Sequence, residues 1–181
     1  MKKILYTADG HWAHRNIINY EKRPYRSINE MDNDLILRWN KKVNPEDDVY
    51  YLGDMFFCPE DKAHEIFDQL NGNIHLIYGN HDKVIKKSRS LQSKFIWCKD
   101  YHVVYDKING QEIPVILFHY PIQVWDRKHY GSIHLYGHIH SDQENHHPLV
   151  AALPNAYNVG VDVCNFEPLT LQEIINYKWK R

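Results

Sequence analysis

Short apolar runs recur along the first half of the chain, and each ends abruptly in polar residues. Three of them, residues 4–8, 49–52 and 74–78, have the length and composition of buried β-strands. Helix-type patterns lie between them, the first opened by the capping-box spacing of Ser27–Glu30 and the second covering 59–70. This alternation predicts a mostly parallel sheet with helical crossovers.

The second half of the chain has a hairpin pattern instead. Two β-prone arms flank Asn109-Gly110, which is a strong signal for a two-residue hairpin turn. Further strands are predicted over 132–136 and 156–163, and the capping-box spacing of Thr170–Glu173 opens a closing helix. The residues predicted to face inward on that helix are Leu171, Ile174, Ile175 and Trp179.

Length and composition suit one globular domain. The chain has 181 residues, 43% of them hydrophobic, and no internal repeat, linker or low-complexity segment divides it. We therefore predict a single α/β domain over 1–181. The formal net charge is −1, so the basic surface of a non-specific nucleic-acid binder is not expected, and nucleic acid is expected only as a substrate.

The cysteines and the apolar runs bear on the compartment. Cys58, Cys98 and Cys164 are odd in number and widely spaced, so they form neither a zinc-type pair nor a disulfide framework. Reduced thiols favour a cytoplasmic protein. No apolar run approaches membrane-spanning length and the N-terminus lacks a signal-peptide pattern, so no membrane partner is expected.

Metal-type ligands stand at the predicted strand ends. They are Asp9, His11, Asp54, Asn80, His119, His138 and His140. In open α/β sheets ligands bind beyond the carboxyl ends of the strands, where we expect these side chains to meet. Carboxylates, imidazoles and an amide oxygen suit divalent ions such as Mn²⁺, Fe²⁺, Zn²⁺ or Ni²⁺. Seven ligands are too many for one tetrahedral site, whereas two ions that share a carboxylate would use them all.

The stretch Gly79-Asn80-His81-Asp82 adds a group that can carry protons. His81 follows a candidate ligand directly, and imidazole is the side chain that titrates near neutral pH. We interpret His81 and Asp82 as catalytic residues, with the carboxylate of Asp82 orienting the His81 ring.

The ordered blocks Asp-x-His, Gly-Asp, Gly-Asn-His-Asp, a strand-end His and Gly-His-x-His extend from Asp9 to His140. This combination resembles the calcineurin-like metallophosphoesterase superfamily, and the compact chain is similar to its small bacterial and phage-type members. The resemblance implies a four-layer α-β-β-α sandwich with a dinuclear metal site at one edge of the sheets. It also implies a hydrolase acting on a small phosphoester or nucleotide, with a metal-bridging hydroxide as nucleophile.

The resemblance also assigns roles to the candidate residues. One ion would be held by Asp9, His11 and His140. The other would be held by Asn80, His119 and His138. Asp54 would bridge the two ions, and His81 would act on the departing oxygen with Asp82 as its partner. Manganese is the favoured metal, with iron, zinc or nickel as alternatives.

Phosphodiesters are the favoured substrates, and monoesters remain open because the same ligand set serves both. The family's arginine shortly after the bridging aspartate is absent, since Met55-Phe56-Phe57-Cys58 follows Asp54. Two other functions stay open, namely a nuclease acting on nucleic-acid ends and a non-catalytic protein-binding scaffold. The candidates for the pocket wall are His14, Arg15, Trp125, Arg127 and His129.

Overall fold

The first half of the chain builds a parallel sheet. The computed structural model describes residues 2–141 and 147–177. The strands of the first sheet are β1 (Ile4–Thr7), β2 (Asp48–Tyr51), β3 (Asn73–Ile77) and β4 (Trp97–Lys99), in that spatial order. All three pairings are parallel, which confirms the predicted type of sheet. The edge strand β4 was not predicted because its three residues carry no alternating pattern.

Five helices connect the strands of the first sheet and flank them. They are α1 (Arg15–Tyr20), α2 (Ile28–Lys42), α3 (Glu60–Phe67), α4 (Lys83–Lys87) and α5 (Arg89–Gln92). The Ser27 hydroxyl caps α2 by accepting from the Glu30 N–H, as predicted. The Glu30 carboxylate, however, accepts from the Arg26 N–H, so the reciprocal half of the expected capping box is not formed there.

The second half of the chain builds a mixed sheet. Its strands are β5 (Tyr101–Ile108), β6 (Gln111–Phe118), β7 (Ile133–Tyr136) and β8 (Ala156–Asn158), in that spatial order. The first pair is the predicted antiparallel hairpin, and Asn109 and Gly110 both have the positive φ that its turn requires. Strands β6, β7 and β8 pair in parallel. A 3₁₀ turn at Lys128–Tyr130 and the short helix α6 (Pro148–Ala151) lie between these strands.

Two details differ from expectation near the end of the chain. Strand β8 ends at Asn158, five residues before the predicted end, because Gly160 leaves this sheet and bridges to Ala8 beside β1. The closing helix α7 (Leu171–Asn176) has the predicted capping box, with both of its hydrogen bonds formed. Leu171 and Ile174 are buried as predicted, and Trp179 lies outside the described residues.

The two sheets share one hydrophobic core. Alternation along β1 and β2 turns Leu5, Val49 and Tyr51 toward α2 and α3, and turns Tyr6 and Tyr50 toward the second sheet. The second sheet contributes Val115, Leu117, Ile133 and Leu135 to this shared core. The chain is therefore a mixed α/β protein with two four-stranded sheets and flanking helices. Within the described residues, no helix is long and apolar enough to cross a membrane.

His134 on β7 is a fully buried imidazole on the other face of the second sheet. Its Nδ1 and Nε2 lie 3.3 Å from the carbonyl oxygens of Ile116 and Tyr120, and the Trp125 ring packs 5.3 Å from it. Burial lowers the pKa of His134 to about 4, and the two carbonyl contacts oppose that shift only in part.

This buried histidine predicts a loss of stability in mild acid. As pH falls from 7 to 5, the unfolded chain binds a proton at this residue and the folded chain does not, so the free energy of unfolding falls by about 2 kcal/mol. In urea unfolding, the free energy of unfolding should fall between pH 7 and pH 5 by about 2 kcal/mol more in the wild type than in His134→Gln. The exposed His129→Gln is the control. Equal losses in wild type and His134→Gln would contradict the assignment.

Candidate metal centre

All seven predicted ligands come together beyond the carboxyl ends of five strands. They are Asp9 and His11 after β1, Asp54 after β2, Asn80 after β3, His119 after β6, and His138 and His140 after β7. Six of them form two triads. The first triad is Asp9, His11 and His140; the second triad is Asp54, His119 and His138. Within each triad one ligand atom per residue lies within 4.8 Å of the others, which is close enough for a common ion.

The backbone at these strand ends is turned into the left-handed region. Five of the seven ligands have positive φ: Asp9 at 56°, His11 at 52°, Asp54 at 58°, His138 at 71° and His140 at 47°. Such a conformation costs about 1–3 kcal/mol for a residue with a side chain, and it is typical of functional sites. It lets the chain leave the strand sharply and direct consecutive polar side chains to one place.

Glycine is required at the start of the two motifs Gly79-Asn80-His81 and Gly137-His138 for the same structural reason. A Cβ atom at Gly79 would collide with the Asp54 carboxylate, and one at Gly137 would collide with the Asp9 carboxylate. The following backbone then binds the same carboxylate, because the His81 N–H donates to Asp54 Oδ1 at 2.7 Å and the His138 N–H donates to Asp9 Oδ2 at 2.9 Å. One oxygen of each aspartate is thereby fixed.

The other oxygen of each aspartate faces the histidines of the triads. Asp9 Oδ1 and His11 Nε2 are buried and have no hydrogen-bond partner among the described residues. Asp54 Oδ2 lies 3.8 Å from His11 Nε2 and 3.5 Å from His119 Nε2, so the same oxygen faces both triads. Unpaired polar atoms are rare in protein interiors, and this arrangement fits an ion on each side of Asp54.

Asn80 adds a fourth candidate ligand to the second triad. Its side-chain oxygen lies 3.0 Å from His119 Nε2 and 3.0 Å from His138 Nδ1. Ligands bound at about 2.0–2.2 Å to one ion lie roughly 3.0–3.5 Å from each other in tetrahedral or octahedral geometry. On the far side of its ring, His119 Nδ1 donates to the Leu52 carbonyl at 2.7 Å, which leaves Nε2 as the ligand atom.

The electrostatics of the protein groups also favour a cation. Burial raises the pKa of Asp9 to about 7, and burial together with the neighbouring His140 lowers the pKa of His11 to about 2. Burial raises the pKa of Asp54, but the hydrogen bond and charge of His119 outweigh it and bring the value to about 2. A divalent ion would stabilise both the carboxylates and the neutral imidazoles, since those are the forms that ligate.

His81 and Asp82 are close in sequence but occupy different environments. The His81 ring is exposed beside the site, with its centroid 4.8 Å from that of Phe57 and 5.7 Å from that of His11. Asp82 is fully buried, and its carboxylate accepts from the backbone N–H groups of Gly79, Asp54 and Met55 at 2.7–2.9 Å. The expected contact between Asp82 and the His81 ring is not formed among the described residues. Asp82 instead fixes the backbone that carries Asp54.

Of the candidates for the pocket wall, His14 lies beside the site, whereas Trp125 and Arg15 lie elsewhere. The His14 ring stacks on Phe57 with centroids 3.9 Å apart, so these two form an aromatic wall next to His81. Trp125 is buried and donates to the Ser132 hydroxyl, which makes it part of the cover over His134. Arg15 lines a separate depression on the surface with residues 27–29. Phe57 was noted in the sequence only as part of the segment that lacks an arginine.

Sequence reasoning missed two buried residues that touch the first triad. Arg23 donates to the carbonyl of Asp9, and Asp162 lies 2.8 Å from His140 Nδ1. The motif Asn158-Val159-Gly160-Val161-Asp162 at the end of the last strand was the available signal for Asp162. Nothing near Arg23 in the sequence distinguishes it from a surface arginine.

This chain is similar to a known protein by sequence and to a solved structure by fold. The uncharacterized protein MJ1445 of Methanocaldococcus jannaschii is 33% identical over 177 residues, which are 97% of this chain and 90% of the archaeal protein. This chain belongs to the MJ1445 family. No protein-family model matches it. The crystal structure of the protein of unknown function AQ665 from Aquifex aeolicus covers 97% of this chain and 99% of its own, with a TM-score of 0.73 and 24% identity. That similarity shows a shared fold.

The three backbone bonds of Asp82 predict an effect on both stability and the metal centre. Asp82→Asn should lower the free energy of unfolding by about 2–4 kcal/mol, since an amide cannot accept all three bonds with a full charge. It should also weaken Mn²⁺ binding, because Asp54 loses its support. The control is Asp47→Asn, another fully buried aspartate, which accepts from the Lys3 and Asn44 N–H groups at the opposite ends of the strands. Urea unfolding and Mn²⁺ titration measure the two effects, and unchanged Mn²⁺ affinity in Asp82→Asn would refute the supporting role.

Proposed function

We propose that this protein is a divalent-metal-dependent phosphoesterase of the calcineurin-like type that hydrolyses phosphodiester bonds. The observation that carries the proposal is the pair of triads joined at Asp54, whose Oδ2 lies between His11 and His119, with His81 exposed beside them. The order of the motifs along the chain and their convergence in space both support the same site.

We extend the proposal to the architecture, as a four-layer α-β-β-α sandwich with a dinuclear site at one edge of the sheets. The helices that pack on the first sheet and the core that the two sheets share support three of these layers. On the outer face of the second sheet, the described cover includes Trp125, which packs on His134.

The ligand residues would hold two divalent ions, of which Mn²⁺ is favoured by the mixture of carboxylate, amide and imidazole donors. Asp9, His11 and His140 would hold one ion and Asn80, His119 and His138 the other, with Asp54 shared. Such a pair of ions acidifies water and polarises phosphoryl oxygens when it is bound. The protein's own contribution is to hold these donors rigidly and to keep His11 neutral through burial.

His81 would act on the departing oxygen. Its ring is exposed beside His11 and Phe57, where it can serve as the general acid toward the leaving oxygen as the ester bond breaks. The Asp82 carboxylate is engaged with backbone N–H groups instead of the His81 ring.

The surroundings of the site favour a diester over a monoester. Residues 55–58 after Asp54 include no arginine, and the aromatic wall of Phe57 and His14 occupies this side. Arg23, whose charge contributes to the lowered pKa of His11, has a fully buried side chain bound to Asp162. A monoester dianion gains more from a free arginine than a diester monoanion does, so this setting disfavours the monoester.

Removal of the metal should abolish hydrolysis. Chelator-treated protein is assayed with bis(p-nitrophenyl) phosphate and, in parallel, with p-nitrophenyl phosphate, before and after addition of Mn²⁺. We expect turnover of the diester only after Mn²⁺ is added, and a smaller kcat/KM for the monoester. Turnover that is independent of metal, or bound metal without turnover of either ester, would contradict the proposal.

Replacement of His81 separates chemistry from metal binding. His81→Ala should keep two Mn²⁺ ions per chain and lower kcat by about 10²–10⁴-fold, the range expected for loss of a general acid. The control is His64→Ala, whose ring on α3 contacts Ser90, and it should keep both quantities at the wild-type level. A parallel loss of metal and turnover in His81→Ala would make His81 a ligand and the assigned role wrong.

A further inference from the structure

Arg23 and Asp162 form an ion pair buried directly beneath the first triad. Their side chains are 0% and 3% exposed, and they are joined at two points, Nε to Oδ1 at 2.7 Å and Nη2 to Oδ2 at 2.9 Å. Arg23 follows α1, and Asp162 lies 139 residues further along the chain, after β8. The pair therefore connects two distant loops.

Each member of the pair also holds a part of the first triad. The Arg23 Nη1 and Nη2 groups donate to the carbonyls of Gly10 at 2.7 Å and Asp9 at 2.8 Å. Those carbonyls belong to the left-handed turn that presents Asp9 and His11. Asp162 Oδ2 lies 2.8 Å from His140 Nδ1. All three ligands of the first triad are thus tied to one ion pair.

The contact with His140 decides which of its nitrogens can ligate. The Asp162 carboxylate is paired with the Arg23 guanidinium through both of its oxygens, and Oδ2 also faces His140 Nδ1, so this oxygen is the acceptor in that contact. His140 Nδ1 must then carry the proton, and Nε2 is the atom left with a free lone pair. Carboxylate–histidine–metal chains fix the orientation of a ligand in this way.

The loop that carries Asp162 is itself anchored to the site. The Val161 N–H donates to the Ala8 carbonyl at 3.0 Å, and the Asn158 side chain donates to the His140 carbonyl at 2.8 Å. Movement of this loop would therefore move His140 relative to Asp9.

Arginine is required at position 23 by the number and geometry of its bonds. Four of its five N–H donors meet oxygen acceptors on Asp162, Asp9 and Gly10, and an Nη1 donor lies 3.5 Å from the Met31 sulfur. Lysine has the same charge but lacks this planar fork. A buried ion pair is in general weak evidence for stability, so its value here lies in the arrangement that it imposes.

We propose that the Arg23–Asp162 pair is the positioning element of the first triad and sets its affinity for a divalent ion, by fixing the His140 ring and the Asp9–His11 turn together. The inference rests on the metal centre of the proposed function. It assigns no contact with the substrate to either residue.

The test is Mn²⁺ titration by calorimetry on wild type, Asp162→Asn and Arg23→Lys, with circular dichroism to verify folding. We expect two sites in the wild type and a 10–100-fold weaker affinity at one of them in each variant, as is typical when the partner of a ligand is changed. The control is Glu65→Gln, which breaks the Lys62–Glu65 pair on α3 and should leave both affinities unchanged. Two unchanged affinities in Asp162→Asn would overturn the inference.

A second measurement needs no variant. Long-range ¹H–¹⁵N spectra of the wild-type protein, recorded at a pH at which the His140 ring is neutral, report its tautomer. The proton should be on Nδ1, and a neutral ring protonated on Nε2 alone would overturn the inference. Wild type that binds no Mn²⁺ would overturn it together with the metal centre. Wild type that binds two ions but hydrolyses no phosphoester would overturn the proposed reaction alone, and the affinities of the variants would then still support or refute the positioning role.

Discussion

The Asp54 carboxylate is the contact on which the arrangement of the site depends. One of its oxygens is held by the His81 N–H, and the other faces His119 on one side and His11 on the other. The Asp82 carboxylate accepts from the Asp54 N–H and so fixes its backbone. Because Gly79 has no side chain, the loop after the third strand can approach the Asp54 carboxylate. A single carboxylate therefore sets the distance between two groups of ligands that come from both sheets.

The same constraint explains the unusual backbone of the strand ends. Parallel strands bring their carboxyl ends to one edge, but an ordinary strand continuation would direct successive side chains to opposite faces. The left-handed residues at Asp9, His11, Asp54, His138 and His140 break that alternation. The strain is tolerated because buried carboxylates hold these turns: Asp82 accepts from the Asp54 and Met55 N–H groups and Asp9 accepts from the His138 N–H. Asp162 contacts the His140 ring.

Local sequence patterns predict those features of the fold and the site that depend on residues close together in the chain. Seven of the eight strands, the hairpin at Asn109-Gly110 and the convergence of the seven candidate ligands could be predicted, because strand ends and glycine turns have short-range signals. The role of Asp82 could not, since its partners Asp54 and Met55 come from another strand. The pairing of Arg23 with Asp162 could not be predicted for the same reason, since only the fold brings their loops together.

A centre of two ions that share Asp54 is tested most directly by the anomalous scattering of crystals grown with Mn²⁺, recorded at the manganese edge. Two peaks are expected roughly 3.5–4 Å apart, as in known two-metal sites, with Asp54 between them. One peak would be contacted by Asp9, His11 and His140, and the other by Asn80, His119 and His138. A single peak, no peak, or peaks that none of these seven residues contacts would contradict the shared-carboxylate centre.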